Sequence, residues 1–280
     1  KMLINSCLTV FICAAPTAAL AAEVEVINTD DDGPGSLRSA VSTANPGDAI
    51  KFSAGLDGKT ILLESPIIID KNLSFVVPDN ITVSITRTGN VGPLLLADGD
   101  TVLDFSSPGL VIKNGYHSQL GSDSYVYGGG IYAGSITTFA GELKDNTVSS
   151  TNEAGNASAF GGGIYTSDVI DAFSGKVVGN AATAVAGAAN RALAGGGGIR
   201  AYSITAFTGE VTGNTVTATS SAGRAQAIGG GLEINKITPL AAKLAVTSFL
   251  PIAIPAMLML MEAGWILIQL MILRAKWAAI

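Results

Sequence analysis

A glycine triplet followed by an aliphatic residue recurs four times in the middle of this 280-residue chain. The four copies are Gly128-Gly129-Gly130-Ile131, Gly161-Gly162-Gly163-Ile164, Gly196-Gly197-Gly198-Ile199 and Gly229-Gly230-Gly231-Leu232. Their aliphatic positions lie 33, 35 and 33 residues apart. A fixed period of this length is typical of repeat architectures, in which each unit packs on its neighbours. Residues 114–236 are therefore predicted to form a solenoid.

A phenylalanine and an asparagine follow each of the first three triplets. Phe139, Phe173 and Phe207 lie 34 and 34 residues apart, and so do Asn146, Asn180 and Asn214. Two further landmarks with one common period strengthen the prediction of a repeat.

The period is compatible with pairs of helices, but the composition favours strands. Each unit carries three consecutive glycines and many Thr, Val and Ser residues, and no apolar stripe with a helical period runs through it. Short β-branched segments such as 135–138 and 214–217 are typical of strands bounded by turns. We therefore predict an all-β protein, a right-handed parallel β-helix, since parallel crossovers are almost always right-handed.

Equivalent residues of a β-helix stack on one another, so the landmarks predict ladders inside it. The aliphatic residues after the triplets should form one internal stack and the three phenylalanines another. The three asparagines should lie at a bend, where Asn tolerates left-handed backbone, and pair their amides with the next coil. The triple glycines should allow tight corners.

Three segments, 149–160, 182–194 and 218–228, are rich in Ala, Ser, Gly and Asn. We expect them to be loops on one side of the solenoid, serving either as binding loops or as solvated spacers.

Residues 1–22 resemble a secretory signal peptide. A short positive start (Lys1) precedes an apolar run, and Ala19-Leu20-Ala21 supplies small residues for cleavage. An uncleaved membrane anchor is the alternative. Cys7 and Cys13 are the only cysteines, so the mature chain is expected to contain none.

Residues 23–113 lack the repeat and are predicted to form an N-terminal cap and the first coils. Gly33-Pro34-Gly35 predicts a turn, Ser36 begins a short helix that ends near Asn45, and several β-branched segments follow. A cap is expected because the first coil of a solenoid would otherwise present an open edge.

The run 28–45, with Gly35-Ser36-Leu37-Arg38 inside it, resembles the opening segment of many secreted bacterial β-helix proteins. The repeated units resemble the motifs of polymorphic outer membrane proteins, a family of autotransporter adhesins. The resemblance implies a passenger domain that a Gram-negative bacterium secretes or displays on its outer membrane. The implied partner is a host or neighbouring cell-surface protein or glycan.

Such proteins are also expected to be held in the outer membrane by a C-terminal translocating barrel. Residues 237–280 lack the alternating strands of a barrel, so we expect it to be missing from this sequence. This tail is apolar, and residues 244–273 are a candidate membrane helix, although Pro251, Pro255 and Glu262 weaken that interpretation.

A shifted reading frame explains the tail better. Read one nucleotide back, residues 262–266 can decode as Gly-Gly-Gly-Leu-Asp, 33 residues after Gly229-Gly230-Gly231-Leu232-Glu233. Residues 240–247 can decode as Phe-Ser-Gly-Glu-Val-Ser-Gly-Asn, again 33 residues after the matching segment that begins at Phe207. We therefore predict that 237–280 is an out-of-frame translation of further repeats, which the coding DNA tests.

The composition excludes several kinds of chemistry. The net charge of −6 argues against nucleic-acid binding, and one histidine with two cysteines argues against zinc clusters and thiol catalysis. We expect no cofactor and no metal. Asp30, Asp31 and Asp32 are either a calcium site or, more simply, a solvated turn. Asp168 and Asp171 are either a pair for glycoside chemistry or ordinary acidic loop residues.

The one histidine and five tyrosines are further residues of interest. His117, the one histidine, is expected to be a surface residue. Five tyrosines are either stacking surfaces for sugars or ordinary strand residues near the glycine corners: Tyr125, Tyr127, Tyr132, Tyr165 and Tyr202.

The sequence as a whole predicts an adhesin-like passenger that is not an enzyme. The alternatives are a β-helix carbohydrate-active enzyme, either a lyase or a hydrolase, and a purely structural surface-layer protein.

Overall fold

The computed structural model describes residues 21–89, 92–121, 124–187 and 190–237. The predicted signal peptide, apart from Ala21 and Ala22, and the predicted frame-shifted tail, apart from Ile237, lie outside these residues. Within them the chain is almost entirely β, and every strand pairing is parallel. The predicted all-β parallel solenoid is confirmed.

The first part of the chain contains the single α-helix of the described residues and eight short strands. The elements are β1 (Glu23–Val26), α1 (Leu37–Thr43), β2 (Ala49–Phe52), a 3-10 turn (Ala54–Leu56), β3 (Thr60–Leu63), β4 (Ile67–Ile68), β5 (Leu73–Val76), β6 (Val83–Arg87), β7 (Leu95–Phe105) and β8 (Leu110–Lys113).

The repeat region continues with sixteen strands. They are β9 (Tyr116–Leu120), β10 (Ser124–Tyr127), β11 (Ile131–Phe139), β12 (Glu142–Lys144), β13 (Thr147–Asn152), β14 (Ala157–Phe160), β15 (Ile164–Thr166), β16 (Val169–Phe173), β17 (Lys176–Val178), β18 (Ala181–Ala186), β19 (Ala192–Gly195), β20 (Ile199–Phe207), β21 (Glu210–Thr212), β22 (Thr215–Ser220), β23 (Ala225–Ile228) and β24 (Leu232–Ile237).

The strands form four parallel sheets, which the chain of the repeat region visits in a fixed order. Sheet 1 contains β1, β2, β4, β5, β7, β11, β15, β16, β20 and β24, and sheet 2 contains β3, β6, β8, β12, β17 and β21. Sheet 3 contains β9, β13, β18 and β22, and sheet 4 contains β10, β14, β19 and β23. One complete coil therefore runs through sheets 1, 2, 3 and 4 and returns to sheet 1 one level further along.

Aliphatic and aromatic ladders fill the main core, as the sequence predicts. Ile131 pairs with Ile164, Ile164 with Ile199, and Ile199 with Leu232. The rings of Phe139 and Phe173 lie 5.2 Å apart between centroids and only 7° from parallel. The aliphatic stack extends down to Leu95 and Ile67, and the aromatic stack down to Phe105 and Phe75.

The aromatic stack is longer than the three phenylalanines identified from the sequence. Phe105 lies 34 residues before Phe139, so the period that identified the repeat was also present there. Each of these rings is almost fully buried, and burial of a phenylalanine side chain contributes about 1.5–3 kcal/mol. The hydrophobic core is therefore continuous from the first coils into the repeats.

A buried amide ladder runs along the bend between sheets 2 and 3. The side-chain oxygen of Asn180 accepts from both the backbone N–H and the side-chain amide of Asn146, each at 2.9 Å. Asn214 accepts from Asn180 in the same way. Each side-chain amide also donates to a backbone carbonyl of the preceding coil, such as that of Leu143. The predicted coil-to-coil pairing of asparagine amides is confirmed.

The backbone conformation at this bend differs from the expectation. The left-handed residue is the one before each asparagine: Asp145 (φ 53°), Gly179 (φ 67°) and Gly213 (φ 65°). In the preceding coil the equivalent left-handed residue, Asn114 (φ 55°), comes before Gly115. The asparagines themselves are selected for the buried amide, which satisfies backbone groups that the bend leaves unpaired.

The prediction that 149–160, 182–194 and 218–228 are loops is wrong. Most of these residues lie in the strands of sheets 3 and 4, and only short turns connect the two sheets. Their alanines alternate inward, and Ala157, Ala159, Ala182, Ala184 and Ala194 are completely buried between the sheets. Small side chains allow the two sheets to pack closely, so tertiary packing overrides the weak strand propensity of alanine.

The N-terminal residues 23–45 pack against the first coils, with α1 in contact with β1 and β2. Ser36 caps α1 by accepting from the backbone N–H of Ser39 at 3.1 Å, and Leu37 is completely buried. Arg38 donates to the carbonyls of Ser65 and Pro66 and pairs with Asp31 at 2.7 Å. The Gly35-Ser36-Leu37-Arg38 motif therefore attaches the cap to the next coil.

Substitution of the second glycine of a triplet should destabilise the fold strongly. A Cβ atom at Gly162 would overlap the backbone carbonyl oxygens of Gly197 and Ala181, neither of which can move without breaking the ladder. We expect Gly162→Ala to lower the free energy of unfolding by about 2 kcal/mol or more, as overpacking in a core does. Gly55→Ala, where a Cβ has room, is the matched control. Equal melting temperatures of the two variants would contradict the proposed packing role.

Replacement of an amide by a carboxylate in the ladder should lower the free energy of unfolding more than Gly162→Ala does. In Asn180→Asp the second oxygen would face the carbonyls of Leu143 and Val178, to which the amide now donates. An uncompensated buried charge costs about 3–5 kcal/mol, and chemical denaturation at neutral pH measures it. Asn80→Asp makes the same change at an exposed position and should have little effect. A small loss in Asn180→Asp would refute the ladder.

Candidate functional site

The glycine triplets turn the chain sharply from sheet 4 back into sheet 1. The first glycine of each triplet is left-handed, with φ between 55° and 70°. The residues just before and just after each Gly-Gly-Gly-aliphatic motif therefore meet on the outer surface, across a re-entrant corner. The corner repeats in four successive coils and runs along the solenoid axis.

Aromatic rings occupy this corner in its first two coils. Tyr127 and Tyr132 flank the first motif, and Phe160 and Tyr165 flank the second. The centroid of the Tyr127 ring lies 4.3 Å from that of Tyr165 and 5.9 Å from those of Tyr132 and Phe160. Tyr125 lies nearly parallel to Tyr127, with centroids 6.1 Å apart. We call these five residues the aromatic corner.

An arginine and a glutamate take the equivalent positions in the next two coils. Arg200 is in register with Tyr165 and with Glu233. Its guanidinium carbon lies 3.7 Å from the centroid of the Phe160 ring, a cation–π contact, and its Nε lies 3.7 Å from Oε1 of Glu233. The guanidinium is thereby held in a fixed position beside the rings.

Burial changes the titration of two groups in and beside the corner. Burial raises the pKa of the Glu233 carboxyl, and the Arg200 guanidinium opposes that shift. Oε2 of Glu233 is buried and has no hydrogen-bond partner among the described residues, and it packs where Gly195 lacks a side chain. Burial, reinforced by the neighbouring Tyr165, also raises the pKa of the Tyr127 hydroxyl.

The structure brings together four of the five tyrosines that the sequence identified. Tyr125 is 64% exposed, and Tyr127, Tyr132 and Tyr165 are partly buried within the cluster. Tyr202 lies on β20 and is half exposed, but it makes no ring contact with the others.

The carboxylates identified from the sequence are not assembled into a site in the described residues. Asp31 accepts from Arg38 and from the backbone N–H of Glu64. Burial alone would raise the pKa of Asp31, but these hydrogen bonds lower it overall. Asp168 and Asp171 are both exposed, and the side chain of Asp168 accepts a long hydrogen bond, 3.5 Å, from the hydroxyl of Ser135. Asp31 therefore has a structural role in the cap.

The prediction that His117 is a surface residue is wrong. His117 is in register with the buried Val148 and is itself partly buried. Its Nδ1 lies 2.7 Å from the backbone oxygen of Tyr127. Burial lowers the pKa of His117, and the hydrogen bonds to the backbone of Tyr127 and Gly128 oppose that shift. The imidazole fills the first level of the core between sheets 3 and 4, where a small apolar residue stands in later coils.

Phe160, Arg200 and Glu233 were not identified from the sequence as members of a site. The signal was present, since an aromatic residue directly precedes and follows Gly-Gly-Gly-Ile in the first two repeats. The glycines identified from the sequence lie against the backbone of the next coil, and the isoleucines that follow them lie in the core. The role of both sets is therefore structural.

The part of the chain that the structure describes contains no group of three or more His, Cys, Asp or Glu residues that could hold a metal ion. No helix within it is long and apolar enough to cross a membrane.

Comparison with known proteins finds no family model, no curated protein and no solved structure that matches this chain.

The buried carboxyl of Glu233 should make stability depend on pH. The pKa of Glu233 is raised in the folded state. The contribution of this carboxyl to the free energy of unfolding is therefore fully present below its pKa in the unfolded chain, and it is lost as the pH rises through its pKa in the folded chain. Glu233→Gln lacks this titration, so the variant should gain stability relative to the parent chain as the pH rises above about 4, the ordinary pKa of Glu. Melting temperatures as a function of pH measure the difference.

Glu210→Gln, at an exposed position of β21, is the control for that experiment. A constant difference in melting temperature between Glu233→Gln and the parent chain at every pH would contradict the assignment.

Proposed function

We propose that this chain is an adhesin-like passenger, secreted or displayed at a bacterial cell surface, which binds a partner through the aromatic corner and performs no catalysis. The observation that carries the proposal is the cluster of four tyrosines around the buried ring of Phe160, at the outer surface of a β-helix whose main hydrophobic core includes none of these residues. Clustered aromatic side chains at a surface mark interaction sites, because they offer large contact areas with little conformational freedom to lose.

The scaffold supports a binding role because it holds the rings in place before a partner arrives. Tyr127, Tyr132 and Tyr165 belong to strands that pair in register with the next coil. Their backbone positions are therefore fixed by ladder hydrogen bonds and not by the rings themselves. A preorganised surface loses less entropy on binding than a flexible loop does.

The charged residues beside the aromatic corner, Arg200 and Glu233, also favour binding over catalysis. Arg200 lies over the ring of Phe160, and its charge is compensated by Glu233. The alternative of a carbohydrate-active enzyme, a lyase or a hydrolase, would need a cluster of acidic and basic residues on one face of adjacent coils, and glycoside hydrolysis would need a pair of carboxylates. The exposed Asp168 lies in the turn between β15 and β16 and the exposed Asp171 lies on β16, and neither belongs to the aromatic corner.

The location and the partner class follow from the proposed export route. We propose that residues 1–22 direct secretion and that the partner is a protein or glycan on a host or neighbouring cell. The resemblance of the opening segment 28–45 to those of secreted bacterial β-helix proteins supports this part of the proposal.

The proposal predicts saturable binding to cells that depends on the corner. The purified full chain, labelled with a fluorophore, should bind epithelial or bacterial cells saturably and be displaced by unlabelled protein. A variant with Tyr125→Ala and Tyr165→Ala should lose about tenfold or more in affinity, since each stacked ring contributes about 1 kcal/mol. Tyr202→Ala, a half-exposed tyrosine outside the corner, should bind as the parent chain does.

The same preparation tests the enzymatic alternative. Release of new reducing ends from pectate or other polyanionic polysaccharides would refute the non-catalytic proposal. Absence of saturable binding to any cell type would favour a purely structural surface protein.

A further inference from the structure

We infer that the aromatic corner binds a neutral glycan, whose sugar rings stack on the tyrosines while hydroxyl groups face Arg200. The inference rests on the proposed function, because it names the ligand of the same surface. Three properties of the corner lead to it: the ring faces, the available hydrogen-bonding groups and the local charge balance.

The ring faces require a ligand with flat apolar patches. Tyr125 leaves most of its side chain in solvent, and its ring lies 7° from parallel with that of Tyr127. Tyr132 and Tyr165 add a second pair of rings, with centroids 5.3 Å apart. The C–H faces of pyranose rings are apolar patches of this size, and their burial against aromatic rings is favourable.

The polar groups of the corner require a ligand with both donors and acceptors. Within the described residues, the terminal nitrogens of Arg200 have no hydrogen-bond acceptor, because its contacts are the ring of Phe160 and the pairing of Nε with Glu233. The hydroxyls of Tyr125 and Tyr127 likewise have no partner in the part of the chain that the structure describes. Guanidinium groups only donate, whereas tyrosine hydroxyls donate and accept. Sugar hydroxyls do both, so they match this set.

The charge balance favours a neutral ligand. The carboxylate of Glu233, with Oε1 3.7 Å from Nε of Arg200, already compensates the guanidinium. An anionic ligand would compete with that carboxylate in a chain of net charge −6. A cationic ligand would meet the guanidinium of Arg200 beside the rings, which is unfavourable at short range.

A proline-rich peptide is the main competing occupant, because such peptides dock in aromatic grooves. Its proline residues offer carbonyl acceptors and no backbone donors. It would therefore leave the acceptor capacity of the tyrosine hydroxyls unused, whereas a sugar would not.

The length of the corner fits a short oligosaccharide. It extends from the coil of Tyr127 to the coil of Glu233, three coil-to-coil steps, which is about 14 Å at about 4.8 Å per step. The aromatic rings lie in the first two coils, and the hydrogen-bond donors of Arg200 lie in the third. A chain of sugars therefore stacks at the Tyr127 end and accepts hydrogen bonds from Arg200 at the other.

The test is binding of the full chain to immobilised dextran, mannan and galactan as neutral probes. Polygalacturonate and poly-L-proline are the acidic and the peptide probe. We expect at least one neutral polysaccharide to bind saturably with little dependence on salt. Tyr165→Ala and Tyr125→Ala should each weaken that binding about fivefold or more, and Tyr202→Ala should not. Circular dichroism and melting temperature of each variant check the fold, and the exposed Tyr125 keeps the test valid if Tyr165→Ala is unstable.

Several outcomes would overturn the inference. Binding only to poly-L-proline would assign the corner to a peptide, and salt-sensitive binding only to polygalacturonate would assign it to an anion. Neutral binding that survives both tyrosine substitutions would place the glycan site elsewhere. If no probe binds while the chain still binds cells saturably, the inference of a glycan ligand is wrong and the adhesin proposal stands. If cell binding is also absent, the proposed function fails as well.

Discussion

The buried amide ladder is the interaction on which the rest of the structure depends. Asn146, Asn180 and Asn214 each join two coils through paired hydrogen bonds, and each also satisfies a carbonyl of the preceding coil. A shift of one residue between coils would bury these amides without partners, at a cost of about 1–3 kcal/mol for each group. The ladder therefore fixes the register of all four sheets, including the two that flank the aromatic corner.

The corner follows from that register and from the absence of side chains at the glycines. Because Gly162 and Gly163 lie against the backbone of the next coil, sheets 4 and 1 meet at a sharp angle with no side chains between them. Tyr127 and Tyr165 come within stacking distance only because this floor is bare. The same geometry places Arg200 over Phe160 one coil further along.

The sequence predicted the elements that repeat with a fixed period and missed those whose signal is compositional. Ile164, Phe173 and Asn180 were placed correctly because each occurs once per coil in a distinctive residue type. Sheets 3 and 4 were mistaken for loops because residues such as Ala182 and Ala184 have weak strand propensity, and only the opposing sheet makes them core residues. The tyrosines of the corner were recognised individually, but their contacts depend on a turn angle that no periodicity encodes. Arg200 and Glu233 replace aromatic residues in later coils, so no repeated residue type marked them.

Within the described strands each repeat pairs only with the repeats before and after it, so the repeat region is modular. Duplication or deletion of a whole unit, from one glycine triplet to the next, would preserve every interface and change only the length of the corner. Under the proposed function, the number of units would set how many positions a partner can engage. Small changes in copy number in the gene would thereby retune avidity without any change in the side chains that make contact.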